Sequence, residues 1–195
     1  MTVRRAGVVV AALAVLLAGC STAEPQAAAP KGPVPSSAPV SVPFKGLRPT
    51  SVKIPKIGAE SSLLAVAVKT DGTISVPSVH TPMQAAWYKL SPVPGDVGPA
   101  IVLGHVDGDK KPGIFYKLKD LAPGDEVDVD RSDGKKVKFV VDRVTQVPKD
   151  TFPRDAVYGN SDQPELRLIT CGGVFDHAEH SYKDNIVVYA KLANA

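Results

Sequence analysis

The residues able to carry covalent chemistry in this chain are few. Cys171 stands in LRLITCGG (residues 166–173), after apolar and β-branched residues and before two glycines. A free thiol has a pKa near ~8.5, so it needs a base or a cation nearby to act as a nucleophile. Gly172 and Gly173 would let a substrate backbone approach closely and tolerate positive φ, and N–H groups in such a turn can hold an oxyanion. The pattern predicts that Cys171 ends a strand and that Gly172-Gly173 open the following loop. His105, in AIVLGHVDG (100–108), also follows an apolar run and precedes a Gly-Asp loop. A histidine at a strand end sits at a rim, where clefts form. From the residues alone, two readings stay open for each: a reactive pair, or a buried inert thiol and a structural histidine.

The remaining histidines are weaker candidates. His177 and His180 lie in the polar stretch FDHAEHS, and His80 in a Pro- and Ser-rich stretch. No further ligand cluster accompanies the first two, so no metal site or cofactor is expected, and they read as exposed loop residues. Asp107 is either an orienter of the His105 ring or a turn former.

These side chains must be positioned by short extended elements. Runs rich in Val and Ile alternate with Gly, Pro and Asp turns. They predict strands over 51–54, 63–68, 73–76, 100–106, 126–130, 136–147, 166–171 and 186–192. Asp133-Gly134 between two alternating stretches is a hairpin signal. Short helical turns are expected at 83–89 and 113–118. No long amphipathic stretch occurs, which favours an all-β barrel or sandwich over a βαβ fold. Trp87 and Tyr88 read as core.

The first residues, MTVRRAGVVVAALAVLLAGC, join a basic start to an apolar run ending at Gly19. The run is short for a membrane span, which takes ~20 apolar residues, and fits a signal peptide. Leu17-Ala18-Gly19-Cys20 resembles a lipobox, which implies cleavage before Cys20 and lipidation of its thiol; an uncleaved anchor is the alternative. Residues 21–47 are rich in Pro, Ala and Ser, and such a segment cannot bury enough surface to order itself. It reads as an extended spacer, leaving 48–195 as one domain. The net charge of +3 comes with scattered lysines and no basic stripe, so nucleic acid is not an expected partner. Localisation follows: outside the cell, held at the membrane face.

GPAIVLGHVDG, GIFYKLKDLAPGDEVDV, LRLITCGGVFD and NIVVYAKL, in that order, resemble a sortase, nearest to the actinobacterial class E/F type. SVKIPKIGAESSLLAVAVKTDGTISVP and AAWYKLSPVPGDVGP fit the same family. The resemblance covers Arg48 to Leu192. It implies a closed eight-stranded β-barrel and a cysteine transpeptidase that cleaves an LPXTG-like sorting signal through a thioester. It further implies an amine acceptor, such as lipid II or a protein lysine. Carried over, Cys171 is the nucleophile, His105 the general acid and base, and Thr170 and Gly172 line the substrate groove.

One departure matters. The family places an arginine about a dozen residues after the cysteine to hold substrate backbone and oxyanion, and no arginine follows Cys171. Lys183, in HSYKDN, keeps the charge but lacks the planar fork. Arg167, four residues before Cys171, shares its strand face by the period of two. The sequence leaves the choice between them open. It also leaves open a catalytically impaired, sortase-like surface lipoprotein that binds a wall peptide or protein. An L,D-transpeptidase is a weaker third reading, because LITCGG lacks the SHGC context of those enzymes.

Overall fold

The computed structural model describes residues 46–193. The expected signal peptide with Cys20, and the 21–47 spacer up to residue 45, lie outside the described residues. Among the described residues no helix is long and apolar enough to cross a membrane.

The strands are β1 (Pro49–Ile54), β2 (Ala59–Val66), β3 (Ala85–Tyr88), β4 (Gly98–Leu103), the two-residue pair β5 (Asp107–Gly108) and β6 (Lys111–Pro112), then β7 (Glu126–Arg131), β8 (Lys136–Pro148), β9 (Pro164–Asp176) and β10 (Ser181–Leu192). Eight of them close a barrel in the order β1-β2-β3-β4-β9-β10-β8-β7, with β7 pairing back onto β1. β2–β3 and β4–β9 are parallel; the other barrel pairs are antiparallel. The expected closed all-β barrel is therefore the observed fold.

Alternation along each strand decides which side chains fill it. Val52 and Ile54, Ala100 and Val102, Val127 and Val129, Leu166 and Leu168, Ile186 and Val188 all point inward into one apolar core, as a period of two requires. Phe139, Phe115 and Leu118 plug the same core. The wall formed by β4, β9 and β10 is buried on its outer face as well. Ile101, Leu103, Ile169, Val187 and Tyr189 pack there against Val157. Val157 belongs to the short helix α1 (Arg154–Tyr158), which lies in the β8–β9 connection. A strand covered on both faces reads as an unbroken apolar run, and all six residues of β4 are buried.

Several elements differ from expectation. Residues 83–89 form no helical turn; Ala85–Tyr88 is the barrel strand β3. Ala85 faces the inner core and Ala86 the outer cluster, a two-sided demand that small apolar residues meet. Residues 73–76 are no strand and contribute only the bridge Val68↔Ile74, since Pro77 has no N–H to continue a ladder. Helix α1 has no counterpart among the expected elements, because five residues are too few to show a helical period. Cys171 does not end its strand. β9 continues to Asp176 and pairs with a β10 that begins at Ser181, five residues before its expected start at Ile186.

Candidate active site

The glycines after Cys171 act inside β9. In the β9–β10 ladder Gly172 pairs with Asp184 and Phe175 with Tyr182, so Gly173 and Val174 face Lys183 alone. That is a β-bulge, which bends a strand and re-aims its side chains. Gly173 sits at φ 75, where a side chain would run into the Asp184 carboxylate. Gly172 packs against Ile186, whose Cγ1 would lie 2.8 Å from an added Cβ. The motif therefore buries one glycine and kinks the strand at the next, instead of opening a loop.

His105 reaches the same rim from β4. The last residue pair of the parallel β4–β9 ladder is Leu103↔Ile169, and the Gly104 N–H still donates to the Ile169 carbonyl at 3.2 Å. Two residues further on stand His105 on one chain and Cys171 on the other. Leu103 and Ile169 share the outer cluster, so the period of two puts the thiol on that outer face, and His105 follows the corresponding residue of β4. Adjacent strands run about 4.8 Å apart. Both residues are only partly buried, so the thiol is open to reagents.

The backbone at His105 is clamped. Gly113 donates to the Val106 carbonyl at 2.8 Å and Phe115 to the His105 carbonyl at 3.0 Å. Gly113 lies so close to the His105 carbonyl that no side chain fits between them. The imidazole Nε2 is 2.7 Å from the Pro77 carbonyl oxygen. A carbonyl only accepts, so Nε2 carries a proton and Nδ1 is the nitrogen free to exchange one.

A cleft of about 300 Å³ opens beside the thiol. Its inner wall is Phe115, Thr170 and Ile186; Cys171, Gly172 and Gly173 form the β9 edge; Val106, Tyr116, Lys119, Gln146 and Tyr182 complete it. Because inner-face residues and Cys171 line the same space, the cleft wraps over the barrel rim. Thr170 is 4% exposed and its hydroxyl has no partner among the described residues.

Two groups in this region escaped the sequence reading. The Tyr182 hydroxyl donates to Asp107 Oδ2. That bond, burial, and the negative charges of Asp107 and of a Cys171 thiolate together push the Tyr182 pKa up to about 12. Asp107 therefore serves Tyr182 in this structure, and among the described residues it makes no hydrogen bond to the His105 ring. Tyr182 was hidden because only the bulge carries it to the cleft. Lys119 lies on the 3₁₀ turn Leu118–Asp120, whose buried Leu118 plugs the barrel between β8 and β10. A lysine on a short turn carries no local signal of what it faces.

The two cations suggested for the missing arginine go elsewhere. Lys183 Nζ pairs with Asp176 Oδ2 at 3.4 Å, and it does not line the cleft. Arg167 is 7% exposed, bound to Glu165 and stacked 4.5 Å from the Tyr189 ring centroid. Four residues of strand put it about 13 Å from Cys171. Of the other histidines, His80 Nδ1 contacts both Asp109 carboxylate oxygens at 2.9 Å. His177 packs edge-on against Phe175. Among the described residues no three His, Cys, Asp or Glu side chains are grouped to hold a metal.

The family model described as Sortase domain matches residues 52–193. Sortase C-1 from Actinomyces oris superimposes with a TM-score of 0.59 at 18% identity, covering 74% of this chain and 73% of that one. A sortase D5 transpeptidase from Clostridium perfringens gives 0.55 at 17%, covering 75% and 79%. Sortase A from Corynebacterium diphtheriae gives 0.55 at 20%, covering 74% and 60%. At such identities the structures establish the fold alone. No curated protein matches the chain by sequence.

Proposed function

The chain belongs to the sortase family, and from that premise we propose that it is a cysteine transpeptidase of the class E/F type, working on an LPXTG-like sorting signal at the outer face of the membrane. Cys20 is the proposed lipid attachment point. The observation that carries the reading is that the β4–β9 ladder ends two residues before both His105 and Cys171, with Cys171, though not His105, lining the cleft.

In this reading the thiol proton passes to His105 Nδ1, the nitrogen not engaged by Pro77. The sulfur then attacks the threonine carbonyl carbon of the signal. A C–S bond forms, the C–N bond breaks, and His105 returns the proton from Nδ1 to the leaving amine. An amine acceptor, lipid II or a protein lysine, reverses the sequence: its nitrogen attacks the thioester, C–S breaks, and the thiolate is restored. Thr170 and Gly172 line the path of the peptide.

The test is mass spectrometry of the protein incubated with an LPXTG-type peptide. A thioester adduct is expected on Cys171, absent in Cys171→Ala and strongly slowed in His105→Ala. A specific observation favours a second reading, an impaired surface protein that only binds its peptide: Lys183 and Arg167 are both engaged by carboxylates. Saturable peptide binding without any adduct would select it.

A further inference from the structure

The cleft still lacks a cation for the arginine's task, and the structure offers one that the sequence pattern did not. We propose that Lys119 is the substrate-facing cation of the Cys171 cleft, positioned to hold the carbonyl oxygen of the acyl donor and the negative charge that develops on it. The proposal rests on the transpeptidase reading for its substrate, but not for its placement.

Four observations converge on Lys119. It is the one charged side chain among those lining the cleft. Among the described residues it forms no ion pair and no side-chain hydrogen bond, whereas Lys183 and Arg167 are both engaged by carboxylates. Its backbone is fixed, because Leu118 is fully buried in the barrel core and the Leu118 N–H donates to Phe115 at 3.0 Å. Two of the other donors in the cleft are committed, the Tyr182 hydroxyl to Asp107 and a Gln146 amide N–H to Asp184 Oδ2 at 2.5 Å, and the Thr170 and Tyr116 hydroxyls that remain carry no charge.

The chemistry fits the position. Attack on a peptide carbonyl gathers negative charge on oxygen, and a fixed donor aimed there is often the largest contribution to rate. A lysine ammonium is a compact charge on a flexible four-carbon stem with three donors. Anchored by a rigid turn at the rim, it can follow the oxygen from carbonyl to oxyanion. The unpartnered Thr170 hydroxyl in the same cleft is a further polar group awaiting a ligand atom.

The test uses the full chain and two thiol reagents of similar size, an anionic and a cationic methanethiosulfonate, with the adduct read on the Cys171 peptide at low salt. Wild type should favour the anionic reagent. Lys119→Met should lower that preference by slowing the anionic reagent about fivefold, the effect of one charge at contact range in water. Lys119→Arg should keep it, and Lys183→Met should leave it unchanged. In the acylation assay Lys119→Met should slow adduct formation about 10²-fold, with Lys119→Arg recovering most of the loss. An unaltered reagent preference in Lys119→Met, or a loss in Lys183→Met instead, overturns the proposal. A preference that depends on Lys119 in a protein that never acylates upholds the cation and overturns the transpeptidase reading, so the two failures are distinct.

Discussion

Two hairpins of the same barrel are built to different ends. The β7–β8 hairpin turns tightly at Asp133-Gly134, with Arg131 donating to the Lys135 carbonyl at 2.8 Å, and its register runs without a shift from Asp130↔Lys136 to Glu126↔Val140. Its charges are matched: Arg131 with Asp96 and Asp133, Lys136 with Asp130, Lys138 with Glu126. The β9–β10 hairpin breaks its register at Gly173-Val174 and turns through His180 at φ 48. It leaves Val174 71% exposed and keeps an unpaired thiol. Regular pairing satisfies every backbone group but fixes where side chains point. A bulge gives up some pairing to redirect them, and here it brings Gly173 and Tyr182 to the edge of the thiol cleft.

Glycine substitution breaks this comparison most sharply. Gly173→Ala should slow acylation of Cys171 by about 10²-fold, because small misplacements of reacting groups cost that much. It should also lower stability by roughly 1–2 kcal/mol through left-handed strain. Gly134→Ala, at φ 81 with nothing within 4 Å of its added methyl, should lose a similar ~1–2 kcal/mol in urea unfolding while acylation stays at the wild-type rate. Equal kinetic losses in both variants would mean that the bulge has no special part in the site.

A smaller effect concerns the tie between Tyr182 and Asp107. Between pH 10 and about 12 the unfolded chain has lost the Tyr182 proton while the folded chain keeps it. The folded state then binds more protons, so stability falls as pH rises through this window and is fully present below it. In Tyr182→Phe the midpoint of urea unfolding should fall less steeply between pH 10 and 12 than in wild type. The smallest effect belongs to the regular hairpin. Lys138→Ala removes an exposed pair with Glu126 of 2.7 Å, and its urea midpoint at 0.15 M salt should be indistinguishable from wild type, as isolated surface pairs contribute little.

Much of the barrel is legible in the sequence because its signals are local. Val127 and Val129, or Leu166 and Leu168, announce an inward face by spacing alone. Asp133-Gly134 announces its turn by the conformation glycine allows at φ 81. β3 escapes notice because AAWY is only four residues long, without alternation, and its two alanines offset the β preference of Trp87 and Tyr88, so that only its neighbours β2 and β4 make it a strand. The cleft is harder still. Thr170, Cys171 and Gly172 are adjacent, so finding one finds all. Tyr182, Lys119 and Gln146 arrive from three separate elements, and no spacing links them.

The sequence by itself determined the period-two faces, the turn at Asp133-Gly134, and a histidine and a thiol each near the end of an apolar run. Tertiary structure alone decided that β4 lies parallel to β9 at the register that brings those two runs side by side. It also decided that Lys183 and Arg167 are spent on carboxylates while Lys119 faces the cleft. Backbone preference acts over a few neighbouring residues, so it is written along the chain. Strand partnership and the destination of a long charged side chain depend on groups dozens of residues away, which only the closed barrel brings within reach.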